Sequence, residues 1–262
     1  MRKRAIDCLC GVAAAWEMLV DVPFPEKLRG LCRGRRPSGL GIAAGFVLVG
    51  LLAGIILALA GWILNLSRVN RYAASGIFAL AAVAVCNGKD SFRGLKLLVS
   101  ALSGLFSGRT WRDSLTGASA DDGSFDKTGG CIAALTVLGA ELFSFALLFG
   151  GGASLWSVAV LTGGCTAQMF FAALPGANGS PYLALLPADR RKMWILPALV
   201  TLWMILRFPV AGIASSVIAG GLCAFIHRDF TLTKTPIAPD AITLAGKLAE
   251  LVLLLCGLLF IL

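Results

Sequence analysis

Long apolar blocks alternate along this chain with short polar segments, most of them basic. The block Leu40–Leu64 carries no charge over its whole length. At 1.5 Å per residue such a run crosses a hydrocarbon core of about 30 Å. Similar blocks follow at Tyr72–Cys86, Cys131–Gly150, Ala153–Leu174, Trp194–Leu206, Val210–Ile226 and Ala241–Leu262. The pattern predicts an all-α fold, a polytopic transmembrane helical bundle of about six or seven spans. Two blocks, Tyr72–Cys86 and Trp194–Leu206, are short for a span. Pro197 and Pro209 are placed to kink or interrupt helices in that region. At the N-terminus, Arg2-Lys3-Arg4 precedes the stretch Ala5–Val20. A charged start of this kind also opens signal peptides. Asp7 and Glu17 interrupt the apolar stretch, however, and no clean cleavage site follows, so an interfacial amphipathic helix is expected.

Composition sharpens the class. The chain is 58% hydrophobic and 14% charged, with a mean hydropathy of +0.85, whereas soluble domains carry about 25% charged residues. No Pro/Ser-rich linker, internal repeat or low-complexity segment divides it, so residues 1–262 read as one membrane domain. Any chemistry must sit in loops or in a cavity between helices.

A net charge of +9 raises nucleic acid as a partner, but the placement of the charges points to topology instead. Threading seven helices with the segment before Leu40 inside puts all but Arg68, Arg71, Arg207 and Lys247 of the 23 Lys and Arg residues on the cytoplasmic side. That asymmetry is the positive-inside rule. The large loop Asn87–Gly130 then lies inside and the C-terminus outside. A lipid bilayer is the expected partner, and nucleic acid is not.

Candidate chemistry is sparse. The eight cysteines form no C-x-x-C pair and lie mostly in apolar blocks, where cysteine is a small buried hydrophobe. The single His227, beside Arg228 and Asp229, reads as a polar residue at a membrane edge. Gly41-x-x-x-Gly45 and Gly50-x-x-x-Gly54 let neighbouring helix backbones approach closely, and Gly163-Gly164 and Gly220-Gly221 invite the same reading. Gly129-Gly130 differs, because it follows Asp121, Asp122, Asp126 and Lys127 just before a span. A glycine-rich turn at a helix N-terminus brings backbone N–H groups to a phosphate, and carboxylates hold a hard cation such as Mg²⁺. A solvated turn entering the membrane explains the same spacing.

Several segments, in order, carry a resemblance. Leu19-Val20-Asp21-Val22-Pro23-Phe24-Pro25 is followed by Gly104-Leu105-Phe106-Ser107-Gly108, by Asp122–Gly130, and by Asp240-Ala241-Ile242 with Ala249-Glu250-Leu251-Val252. Together they resemble the cobalamin synthase family (adenosylcobinamide-GDP ribazoletransferase), an integral membrane transferase. The resemblance implies a bacterial or archaeal cytoplasmic membrane. It also implies a reaction joining adenosylcobinamide-GDP to α-ribazole or its 5'-phosphate with release of GMP, Mg²⁺ as cofactor, and other cobalamin-assembly proteins as possible partners. Carried over by position, it makes Asp122, Asp240 and Glu250 the catalytic candidates. Lys127, Gly129, Gly130, Ser100 and Ser103 become substrate-binding candidates, and Asp121, Asp122, Asp126 and Asp240 candidate metal ligands.

The chain also departs from the family pattern. Three family aspartates fall on Lys96, Ser100 and Ser103, spaced for one helical face. The arginine before the Pro-Val-Pro element falls on Asp21, and the first glutamate of the last helix on Lys247. Gly164 stands where the family has its central arginine motif. Attack on a diphosphate needs divalent cations to neutralise its oxygens, and Lys96 would repel one. Asp240 and Glu250 lie about 15 Å apart along a helix, too far to share an ion on an unbroken one. Three readings stay open: a divergent ribazoletransferase, a non-catalytic relative that binds a corrinoid or another assembly subunit, and a small transporter built around the intramembrane Glu141.

Overall fold

The structure, a computed structural model, describes residues 2–19, 25–32, 37–86, 127–173, 194–233 and 239–262, and every regular element among them is a helix. In chain order these are α1 (Arg2–Leu19), α2 (Glu26–Cys32), α3 (Gly39–Leu66), α4 (Arg71–Cys86), α5 (Lys127–Gly150), α6 (Trp156–Ala172), α7 (Ile195–Arg207), α8 (Pro209–Thr233) and α9 (Pro239–Phe260). Two stretches, Gly39–Leu66 and Ile242–Phe260, are long and apolar enough to cross a membrane; α4, α7, Leu135–Gly150 and Pro209–Phe225 are shorter apolar helices.

Local signals explain where α3 begins and ends. The Ser38 hydroxyl accepts from the Gly41 N–H at 3.0 Å, satisfying a donor that the first turn leaves free. Ser67 closes the helix, its N–H bonded to the carbonyls of Ile63 and Leu64. The 28 residues between span roughly 42 Å. Their two sides differ. Leu52, Ile56, Leu59, Trp62 and Ile63 are exposed, while Gly41, Gly45, Gly50, Gly54 and Gly61 are buried.

That glycine side sets the packing. A Cβ on Gly50 would lie 2.7 Å from the Leu161 carbonyl oxygen, and one on Gly54 would lie 2.5 Å from Val158 Cα. α3 and α6 therefore touch backbone to backbone, running antiparallel. Gly45 meets Val12 and Ala15 of α1 in the same way, and Gly11 meets the backbone of Gly41 and Ile42. With the bond from Ser38 N–H to the Asp7 carbonyl, these contacts run in the same sense on both helices. The expected N-terminal helix is present, and it is a packed element of the bundle: Cys10, Ala13, Ala14 and Ala15 are buried.

α6 is the central helix, with Trp156, Ala159, Val160, Thr162 and Met169 inaccessible or nearly so. α9 packs antiparallel to it. The Trp156 indole donates to the Leu253 carbonyl at 2.8 Å, and Gly257 leaves room for the ring. α4 lies antiparallel to α5, through Phe78 stacked on Phe149 at 4.9 Å and edge-on to Phe145. The Arg71 guanidinium donates to the Gly150 carbonyl at the end of α5. Glu141–Lys247 and Leu148–Gly257 contacts make α5 and α9 parallel.

Two corners depend on backbone chemistry. Gly152, at φ +78°, takes the left-handed conformation that ends α5, with the Ala153 N–H bonded to the Leu148 carbonyl. Between α7 and α8, Phe208 leaves helical geometry ahead of Pro209. Gly212 then packs directly on the backbone of Met204 and Ile205, so the chain turns sharply there. This places the expected break beside Pro209, while Pro197 sits inside the first turns of α7. Two boundaries differ from the apolar blocks. α8 runs past Ile226 to Thr233, and α5 starts at Lys127, so Gly129 and Gly130 lie within its first turn. Neither extension is apolar, so hydropathy alone misses both.

Gly54→Ala should lower stability by about 1–3 kcal/mol through overpacking, whereas Gly76→Ala, with open space around its Cβ, should be neutral or better. Thermal unfolding of the two variants in detergent checks this.

Candidate functional site

α9 places Lys247 and Glu250 one turn apart, on the face turned toward α5 and α6. The Lys247 ammonium donates to Glu141 Oε1 at 3.1 Å and to Glu250 Oε2 at 2.8 Å. Lys247 and Glu141 are each 1% exposed and Glu250 is 5% exposed. All three side chains project from the apolar midsections of their helices. Charges so deep in the interior persist only when paired, because desolvation outweighs what a lone ion gains.

The neighbours are small for a reason. A Cβ on Gly164 would lie 2.6 Å from Glu250 Cγ and Oε1, so any side chain at that position would displace the carboxylate. Gly246, on the same helix as Lys247, leaves room for the buried Gln168. Cys86 at the end of α4 lies within electrostatic reach of all three charged groups, and Cys165 of α6 within reach of Glu250. Four helices, α4, α5, α6 and α9, thus converge on one polar island between two apolar clusters. One cluster is built around Phe46, Val47 and Met169, the other around Phe78, Phe149 and Trp156.

The sequence-based candidates scatter by comparison. Lys96, Ser100, Ser103, Asp121, Asp122 and Asp126 lie outside the described residues. Lys127, Gly129 and Gly130 form the first turn of α5, and Asp240 the first turn of α9. α9 is continuous from Pro239 to Phe260, so Asp240 and Glu250 stand about 15 Å apart along its axis and cannot share one ion. Among the described residues, no group of three or more His, Cys, Asp or Glu side chains is arranged to hold a metal. Glu250, the one catalytic candidate whose side chain is described, is engaged by Lys247 rather than open to a ligand. A divalent cation does not fit there without displacing the ammonium. Sequence reasoning noted Glu141, Lys247 and Glu250 separately and missed their meeting. The available signal was opposite charges inside apolar blocks, two of them at i, i+3.

No protein-family model, curated protein or solved structure matches this chain.

Lys247→Met should cost about 3–5 kcal/mol, because it removes the ammonium that the two buried carboxylates share. The triple variant Lys247→Met, Glu141→Leu, Glu250→Met should recover most of that loss, since apolar groups of similar volume replace a buried ion network at little cost. Unfolding in detergent compares the two. Equal losses in both would show that packing, and not charge, is what Lys247 contributes.

Proposed function

We propose that this chain is an integral membrane bundle of cobalamin synthase-like build that serves as a binding or assembly subunit for a corrinoid nucleotide, without Mg²⁺-dependent ribazoletransferase activity of its own. The observation that carries this reading is the Lys247 ammonium seated between Glu141 and Glu250. By the resemblance, position 247 holds a glutamate and the region of Gly164 an arginine motif. In this chain the positive charge stands on α9 and the α6 position is bare. An internal cation then neutralises Glu250, a catalytic candidate of the transferase reading. Lys96, Ser100 and Ser103 remove further negative charge from the loop that the resemblance makes the rest of the centre. Asp122 and Asp240 remain for the alternative reading, a transferase that works without Glu250.

Helix directions support a seven-span threading. α3 and α6 are antiparallel, as are α4 and α5, and α6 and α9, whereas α5 and α9 are parallel. Strict alternation of α3 through α9 across a bilayer requires each of these relations. The same alternation gathers the basic segments at Lys27–Arg36, Lys89–Lys127 and Arg190–Lys192 on one side. Cysteine reporters at Ser91 and Ala188 should therefore be labelled from the same side of sealed vesicles. Labelling from opposite sides would break the threading.

Purified protein in bilayers, supplied with adenosylcobinamide-GDP, α-ribazole and Mg²⁺, should form no cobalamin. It should retain the coloured corrinoid in equilibrium dialysis, with or without EDTA. Mg²⁺-dependent product that disappears in Asp122→Asn and Asp240→Asn would establish the transferase instead. Neither product nor corrinoid binding would remove the family reading altogether.

A further inference from the structure

A cleft of about 340 Å³ opens between α6, α7, α8 and α9, and its lining includes none of the ion triad. Its walls are apolar: Ala167, Phe170, Val200, Met204, Ala219 and Leu253 are typical. Of the four hydroxyl side chains in its lining, Thr166, Thr201, Ser215 and Ser216, three are already used. Thr166 donates to the Thr162 carbonyl at 2.7 Å, and Ser215 and Ser216 donate to the Gly212 carbonyl at 3.2 and 2.6 Å. Such walls offer water little in exchange for its hydrogen bonds, and an apolar cavity takes an apolar guest. The volume lies at the low end of the range for ligand sites, about 300–1,000 Å³. Among the described residues, no charged side chain lines the cleft to receive a diphosphate. It is thus a poor fit for a corrinoid nucleotide and a good one for a single hydrocarbon chain.

Its surroundings identify the source of that chain. Leu199 and Leu202 on α7, and Val217 and Ile218 on α8, are exposed on the outer faces of the helices that frame the cleft. In the membrane arrangement proposed above, on which this inference rests, those faces meet hydrocarbon. At one end, Trp194 is 41% exposed and tilted against Phe170, with ring centroids 5.4 Å apart. An indole with an apolar body and one N–H donor settles at the level of lipid headgroups. We propose that the cleft holds one acyl chain of a bilayer lipid, whose head emerges beside Trp194.

Two adjacent glycines permit a clean test. Gly220 lines the cleft and Gly221 does not, yet each has open space where a Cβ would stand. Gly220→Leu fills the cleft, and Gly221→Leu makes the same chemical change on the same helix outside it. The full chain is reconstituted in phosphatidylcholine vesicles containing a phosphatidylcholine with a diazirine on one acyl chain, then irradiated and mapped by peptide mass spectrometry. Wild type and Gly221→Leu should be labelled at Thr166, Ser216 or Ala219, and Gly220→Leu should lose that labelling. Ile56 and Leu59, on the exposed side of α3, should be labelled equally in all three. Labelling of α3 with none in the cleft, or cleft labelling that survives Gly220→Leu, overturns the proposal while leaving the membrane reading intact. Absence of label on α3 as well overturns both. Cleft residues shielded from the lipid in a dimer of this chain would assign the cleft to a second copy and overturn it too.

Discussion

The ion network of Lys247, Glu141 and Glu250 constrains everything packed around it. Two carboxylates and an ammonium removed from water are tolerable only if the ammonium stays within hydrogen-bonding distance of both carboxylates. α5 and α9 must therefore keep a fixed axial register, with Glu141 level with Lys247. α6 must present glycine at 164, because Glu250 occupies the space a side chain would take. A slip of one residue in α9 would swing both of its charges away from Glu141 by about 100° around the helix axis. An apolar interface tolerates such a slip, and a buried ion network does not. The triad consequently specifies the arrangement of α5, α6 and α9 more sharply than the leucine-rich surfaces around it.

Glycine provides the complementary constraint on the other side of α6. Close backbone approach brings many van der Waals contacts, and small residues are what permit it. Gly50 and Gly54 bring α3 onto the backbone of α6, while Gly11, Gly41 and Gly45 bring α1 onto α3. α6 is thus held on one side by small-residue contact and on the other by charge and the Trp156 indole. The cleft lies on the side of α6 where neither device acts. Gly220 and Gly221, unlike the glycines of α3, have no neighbour within 4 Å of where a Cβ would stand. α7 and α8 instead meet through the sharp turn at Phe208, leaving a gap along α6 rather than a seam.

The same charges bear on chemistry. An ammonium tethered between two carboxylates does the neutralising work of a metal ion without offering open coordination sites. Held by both carboxylates, it fixes how α9 sits against α5. Lys247 and Gly164 make physical sense as a pair. A positive charge on α9 and an empty place on α6 satisfy Glu250 together: without the ammonium Glu250 loses its ion pair, and with a side chain at 164 it is in collision.

Much of this architecture was legible from local pattern. The uncharged run from Leu40 predicts α3 nearly to its ends, because an apolar run that length has few alternatives to helix and Ser38 and Ser67 cap it. The glycine spacing on α3 predicts close contacts, because residues four apart share a helix face. The blocks do not predict that α8 continues to Thr233 or that α5 starts at Lys127, since those turns are polar and hydropathy does not register them. Nor does the amphipathic start predict that α1 lies against Gly41 and Gly45, because a partner face has no signature in the helix that uses it. The candidate site divides in the same way. The chain by itself determined that Glu141, Lys247 and Glu250 sit in apolar blocks and that Lys247 and Glu250 share a face. Only the tertiary structure decided that Glu141 is the second carboxylate on Lys247. Pairing across more than a hundred residues depends on the register of α5 against α9, which arises from the packing of the whole bundle.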